Sequence, residues 1–200
     1  MISGLTEDAT WERAGVREQY TVRKAAMRDI GPILALINGY AAKGVMLPRT
    51  ELEVSEDIRD FSVMVREGRL VGCGALHFYS PSIAEIRSLA VAEDVKTHGI
   101  GRRLIEALVR EATEYSLDAV FAFTYVVGFF SKLGFQEVER GALPLKAWKD
   151  CVRCPKFQCC DEIAVMRILQ PECYGKLQQY QSGEEVQLVQ LPVLRATNVQ

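Results

Sequence analysis

IAEIRSLAVAEDVKTHGIGRRL, residues Ile83 to Leu104, runs from an apolar stretch through a loop holding Gly99 and Gly101 into the opening of a helix. Ile83 to Val91 reads as a strand. From Ile100 onward, Leu104, Ala107, Leu108, Ala112 and Tyr115 recur at helical spacing and mark one face. Ala119 to Tyr125 is then a short apolar strand with the composition of one buried on both faces. A strand–loop–helix–strand unit needs its two strands parallel, because the crossover returns the chain to the same end of the sheet.

The residues upstream pair differently. Tyr20 to Lys24 alternate as a first strand. Ile30, Ile33, Leu34, Ile37 and Ala41 give an amphipathic helix over Met27 to Lys43, stopped at Gly44. VMLPR (45–49) is a non-helical connection, since Pro48 restricts the residue before it, and Thr50 caps a second helix to about Asp60. Phe61 to Val65, a turn at Glu67-Gly68, and Leu70 to Tyr79 form a hairpin. Ser80-Pro81-Ser82 turns the chain again into Ile83. Downstream, Val127 to Leu133 is a short helix closed by Gly134, and Phe135 to Glu139 and Ile163 to Leu169 are the last strands. The expected fold is α/β, a mixed and mostly antiparallel sheet with helices on both faces. It occupies residues 20–169, between an arm over 1–19 and a Gln-rich tail over 170–200.

Composition limits the function. With 48% hydrophobic and 25% charged residues, the chain has the means to fill a core. A net charge of -2 gives no global attraction to nucleic acid. The first twenty residues lack the apolar core of a signal peptide. The run VFAFTYVVGFF (120–130) is broken by Thr124 and Gly128, well short of the ~20 residues of a membrane span. The expectation is a soluble, cytoplasmic protein with a small-molecule substrate and no nucleic-acid or membrane partner; a homodimer is left open.

Four of the six cysteines lie in CVRCPKFQCC (151–160). Reduced thiols fit a chain without a secretion signal better than disulfides do. Cys-x2-Cys suits zinc, but adjacent cysteines ligate one ion awkwardly, and no metal ligand is assigned.

The glycine loop admits two readings. It lacks the Gly-Lys-Ser/Thr of a Walker loop, and Leu104 stands where a Rossmann fingerprint needs its third glycine. What remains is Lys96-Thr97-His98-Gly99-Ile100-Gly101-Arg102 at a helix start, where free amides and the positive end of the dipole favour an anion. Spacing alone leaves phosphate cradle and plain turn both open.

EIRSLAV, then K-x-x-G-I-G-R, then FFSKLGF (129–135) resembles the GNAT superfamily of acyl-CoA-dependent N-acetyltransferases. VRKAAMRDIGPILALINGYAAKGVMLPRTELEVSEDIRDF, with AEIRSLAV and KDCVRCPKF, is similar to the short, single-domain N-acetylglutamate synthases of bacteria. The resemblance implies acetyl-CoA as cosubstrate, its pyrophosphate on Lys96, Thr97, His98, Gly99, Ile100, Gly101 and Arg102. It implies acetyl transfer to the α-amine of L-glutamate, the first step of arginine biosynthesis. Thr97 departs from the family pattern by removing one glycine of the loop.

Three tasks follow from that chemistry. The carbonyl oxygen gains charge and needs a preorganised donor; the resemblance places it at the Ala90 or Val91 amide, with Leu89 and Val91 aligning the pantetheine arm. The amine must lose a proton, and Glu85, where the synthases carry a catalytic glutamate, is the expected base. The thiolate must leave: many family members use a Phe-Tyr pair, but Phe129-Phe130 stands here, so Phe130 lines the cofactor and the acid's role is either vacant or falls to Tyr125 or Thr124. Two substrate carboxylates call for cations, expected at Arg49, Arg87 and Lys156. An acetyltransferase for another amine (another amino acid, a polyamine or a protein N-terminus) and a non-catalytic acyl-CoA sensor are the alternatives. A cleft lined with carboxylates would favour the polyamine.

Overall fold

The computed structural model describes residues 20–143, 154, 156, 159–170 and 172. The N-terminal arm, nearly all of the tail and Cys151 lie outside them. The chain forms β1 (Tyr20–Lys24), α1 (Ile30–Ala41), α2 (Glu51–Glu56), β2 (Phe61–Arg66), β3 (Arg69–Phe78) and β4 (Ile83–Val91). It continues through α3 (Ile100–Glu114), β5 (Ala119–Thr124), α4 (Val127–Ser131), β6 (Gln136–Glu137) and β7 (Ile163–Ile168). One seven-stranded sheet has the order β1-β2-β3-β4-β5-β7-β6. β4 and β5 are parallel and every other pair is antiparallel, as the sequence pattern demands. None of the described helices is long and apolar enough to cross a membrane.

The helices take opposite faces. Ile33, Ile37 and Val54 of α1 and α2 pack on Phe61, Val63, Cys73, Ala75 and Ala90. On the other face, Ile105, Leu108 and Ala112 of α3 cover Leu76, Ala84, Ile86, Val120 and Ala122, joined by Phe130 of α4. Each fully buried Leu or Ile of these layers contributes about 1.5–3 kcal/mol of transfer free energy. Close approach of α3 to β3 requires glycine: a Cβ on Gly72 would stand 3.0 Å from Leu104 Cδ1, and one on Gly74 3.1 Å from Leu108 Cδ1.

Helix limits are tighter than periodicity suggests. Met27–Asp29 is a 3₁₀ turn, and α1 begins only at Ile30. The Asp29 carboxylate takes the Ala26 N–H at 2.8 Å and the Arg23 guanidinium at 2.6 and 2.9 Å, anchoring that turn to β1. Pro32 sits in the first turn of α1, where its missing N–H costs no helical bond. α2 starts in a capping box: Thr50 Oγ1 accepts from the Glu53 N–H, and Glu53 Oε2 accepts from the Thr50 N–H. It ends at Glu56, with a 3₁₀ turn over Ile58–Asp60, because Phe61 must already enter the core as a strand residue. Glu67 and Gly68, both at positive φ, make the two-residue turn from β2 to β3.

Candidate active site

Two irregularities in β4 open the sheet. β4 pairs with β5 only through Ile83, Ala84 and Glu85, against Ala119, Val120 and Phe121. Past Glu85 the strands part, and β5 goes on pairing with β7 along its whole length. On the other side of β4, Cys73 faces Ala90 while Ala75 faces Arg87, so Ser88 and Leu89 together oppose Gly74. This is a β-bulge, and Ser88 sits in it at φ 54, a conformation rare for a residue with a Cβ.

The bulge decides which amides enter the gap. The Ala92 N–H bonds to Val71 O, on the β3 side. Two-residue alternation turns the Ala90 N–H the same way, toward Cys73, and turns the amides of Leu89 and Val91 to the opposite side. Val91 O, which accepts from the Tyr40 hydroxyl at 2.6 Å, lies on that outer side too. Of the two donors expected for the acetyl oxygen, Ala90 is therefore directed into the sheet; Leu89 and Val91 are the residues that edge the gap. The buried Cys73 thiol beneath them is pushed up to about 12, by burial above all, and is an inert core group.

At the far end of β4 a 3₁₀ turn, Glu93–His98, leads to Gly99 at φ 71, and α3 follows at Ile100. The left-handed residue lets the chain reverse into α3, and the amides ahead of the first helical bond, from Arg103 N–H to Gly99 O, have no partner within the helix. Gly101 lies beneath Val91 and against Phe129, whose Cζ would be 3.2 Å from a Cβ there. Phe129 is thus the ring at the loop. Phe130, expected there, is 4% exposed in the core, because α4 turns alternate faces to cleft and sheet. The Ile100 side chain is likewise buried, leaving only its backbone at the loop. Thr97 and His98 are exposed. Lys96 meets Glu93 and stands 4.8 Å over the Tyr40 ring, and Arg102 pairs with Glu106 on the surface. Lys43 and Lys96 hold the Glu93 carboxyl down to about 2.

Glu85 lies on the face that carries α1 and α2, 8% exposed, at the point where the strands part. The Tyr79 hydroxyl donates to its Oε2 at 2.9 Å. Arg87, two residues on, has its side chain 10% exposed, with Nη2 donating to Asp57 Oδ2 at 2.7 Å. Arg49 is half-buried in the connection between α1 and α2. Its backbone is clamped by Asn38, which donates to Arg49 O and accepts from Arg49 N–H, both at 2.9 Å. Lys156 lies apart from these, in a group with Tyr125 and Asp161: Tyr125 Oη donates to Asp161 Oδ1 at 3.0 Å, and Lys156 Nζ is 3.1 Å from Tyr125 Oη. Burial, partly offset by Lys156, raises the Tyr125 hydroxyl above its ordinary range. Thr124, the other acid considered, accepts the Val126 N–H and is buried.

Sequence reading missed His77, Tyr79, Asp57 and Asp60. His77 pairs directly across from Glu85, and its Nδ1 meets Asp60 Oδ2 at 2.6 Å. A signal was present: the Ser80-Pro81-Ser82 turn centres the β3–β4 hairpin on Pro81, which places residues 77 and 85 opposite each other. Ligand atoms of Asp57, Asp60 and His77 lie within 4.8 Å of one another, yet both carboxylates already have hydrogen-bond partners, Asp57 in Arg87 and Asp60 in His77 Nδ1. Cys154, Cys159 and Cys160 are free thiols.

An open pair of parallel strands, a bulge turning amides toward the opening and a glycine-started helix beyond it make up the candidate site. Residues 38–135 match the Acetyltransferase (GNAT) family. The chain is 43% identical over 148 residues to an uncharacterised N-acetyltransferase of Chlorobaculum tepidum, covering 74% of this chain and 96% of that protein. It is 35% identical over 121 residues to the amino-acid acetyltransferase of Mycobacterium tuberculosis, 59% of this chain and 69% of that one. Among solved structures, N-acetylglutamate synthase from Neisseria gonorrhoeae, complexed with coenzyme A and N-acetyl-glutamate, superposes with a TM-score of 0.69 at 27% identity. That match covers 76% of this chain and 35% of that one. The chain belongs to the GNAT acetyltransferase family, with acetyl-CoA as cosubstrate.

Proposed function

We propose that this protein transfers the acetyl group of acetyl-CoA to the α-amine of L-glutamate, as a cytoplasmic enzyme at the entry to arginine biosynthesis. The observation that carries the reading is the placement of buried Glu85 where β4 and β5 part, with Arg87 beside it and Arg49 on the connection between α1 and α2. The amino-acid acetyltransferase and N-acetylglutamate synthase among its relatives support the choice of acceptor.

The pyrophosphate rests on the first amides of α3, with the pantetheine arm along the outer edge of β4. Since the loop binds the phosphates, the acetyl end lies toward Glu85. The Leu89 amide is the nearer outward donor, so it holds the carbonyl oxygen as charge develops, and Val91 aligns the arm. Glu85 takes the proton of the amine. Arg49 and Arg87 receive the acceptor's carboxylates. A thiol of ordinary pKa leaves as its anion without an obligatory acid, so Tyr125, whose raised pKa makes it a weaker acid, is a minor contributor.

Steady-state thiol release with acetyl-CoA and a panel of amines tests the reading: fastest turnover is expected with L-glutamate. Asp57 and Asp60 favour one second reading, a polyamine whose distal ammonium groups meet these carboxylates. Turnover of spermidine in preference to glutamate would select it.

A further inference from the structure

Acetyl transfer moves more protons than one carboxylate can hold. An amine enters as R–NH3⁺ and leaves as an amide N–H, so nitrogen sheds two protons. The N–C bond forms, the C–S bond breaks with its electron pair going to sulfur, and the thiolate takes one proton. The other must reach solvent. Glu85 holds one proton at a time, and at 8% exposure it is poorly placed to deliver it to water.

The way out is beside it. His77 stands directly opposite Glu85 across the β3–β4 pair, which brings the two side chains to neighbouring positions on one face. The Asp60 carboxylate accepts the Nδ1–H of His77 at 2.6 Å, which fixes the tautomer and leaves the Nε2 lone pair as proton acceptor. Tyr79, bonded to Glu85 Oε2, packs its ring edge-on to the imidazole at 5.1 Å. Asp57, itself held by Arg87, completes the charged surroundings. The side chains of His77 and Asp60 are 22% and 21% exposed, so the pair spans from the buried base toward water.

We propose that His77, oriented by Asp60, is the proton relay that carries the amine's proton from Glu85 to solvent, restoring the base for each turnover. This rests on the reading of Glu85 as the base, and it holds for any amine acceptor.

The test uses the whole chain, acetyl-CoA, and whichever of L-glutamate, L-glutamine, L-aspartate, L-lysine and spermidine the wild type acetylates fastest. His77→Asn keeps an N–H for Asp60 but carries no proton, and His77→Ala leaves room for added imidazole. Both should lower kcat roughly 10- to 100-fold with the acetyl-CoA KM unchanged. Imidazole should restore kcat of His77→Ala in proportion to its free-base concentration. Wild-type kcat in both variants, with Glu85→Gln inactive, overturns the relay alone, as does a loss of kcat that imidazole leaves untouched. A Glu85→Gln variant that keeps kcat, or a wild type that acetylates no amine of the panel, overturns the underlying reading as well.

Discussion

On the proposed reading Arg49 serves the acceptor and Gly99 the coenzyme, and their substitution should separate the two tasks. A charge-assisted hydrogen bond to a carboxylate is worth about 1.5–3 kcal/mol. Arg49→Ala should therefore raise the glutamate KM about 10- to 100-fold and leave the acetyl-CoA KM alone, in steady-state kinetics with each substrate varied in turn. An unchanged glutamate KM removes Arg49 from the acceptor site. At Gly99 no atom lies within 4 Å of an added Cβ, so the cost of Gly99→Ala is conformational, from φ 71 alone. It should lower stability by about 1–2 kcal/mol in urea unfolding and weaken coenzyme A in calorimetric titration, while the glutamate KM stays near wild type. The single residues that sequence pattern located were those fixed by local chemistry, such as Gly99 at the left-handed turn. For Phe129 against Phe130, and for Leu89 against Ala90, sequence pattern could not say which of two neighbours faces the gap, since that depends on helix phase and on the parity that the bulge resets.

Elements bear out the pattern more fully than residues do. The parallel β4–β5 pair follows from the crossover through α3, and the hairpin from its left-handed Glu67-Gly68 turn. The parting of β4 from β5 had no local signal, because it reflects β5 committing to β7. The bulge had only a faint one, a glycine inside a strand. Gly74 is where these features meet: a Cβ would come within 3.1 Å of Leu108 and 3.2 Å of Leu89, so α3 and the bulge both bear on it. Gly74→Val should cost about 1–3 kcal/mol by overpacking and lower kcat through displacement of the Leu89 amide. A stability loss at wild-type kcat would detach the bulge from catalysis. Gly39 is the contrast: exposed in α1 with nothing near its added Cβ. Gly39→Ala should stabilise by about 0.5–1 kcal/mol with kinetics unchanged.

At the scale of the molecule, ion pairs among the described residues bear on the response to acid. Arg23 holds Asp29 below its ordinary value, Arg69 does so for Asp94, and Lys43 and Lys96 bring Glu93 to about 2. Folded values below unfolded ones mean stability that is present above the unfolded carboxylate range and is lost as pH falls through the folded values. Glu162, raised by burial, acts in the opposite sense but alone among these four. The urea midpoint should fall between pH 5 and pH 2 at low salt; a flat midpoint across that window would show that these pairs contribute nothing. Function at this scale depends on one product. Purified protein incubated with acetyl-CoA and equal concentrations of L-glutamate, L-glutamine, L-aspartate, L-lysine and spermidine, followed by mass spectrometry, reads all acceptors in competition. N-acetylglutamate as the dominant new species is the predicted result. Acetylation of another amine with glutamate left unmodified would contradict the assignment.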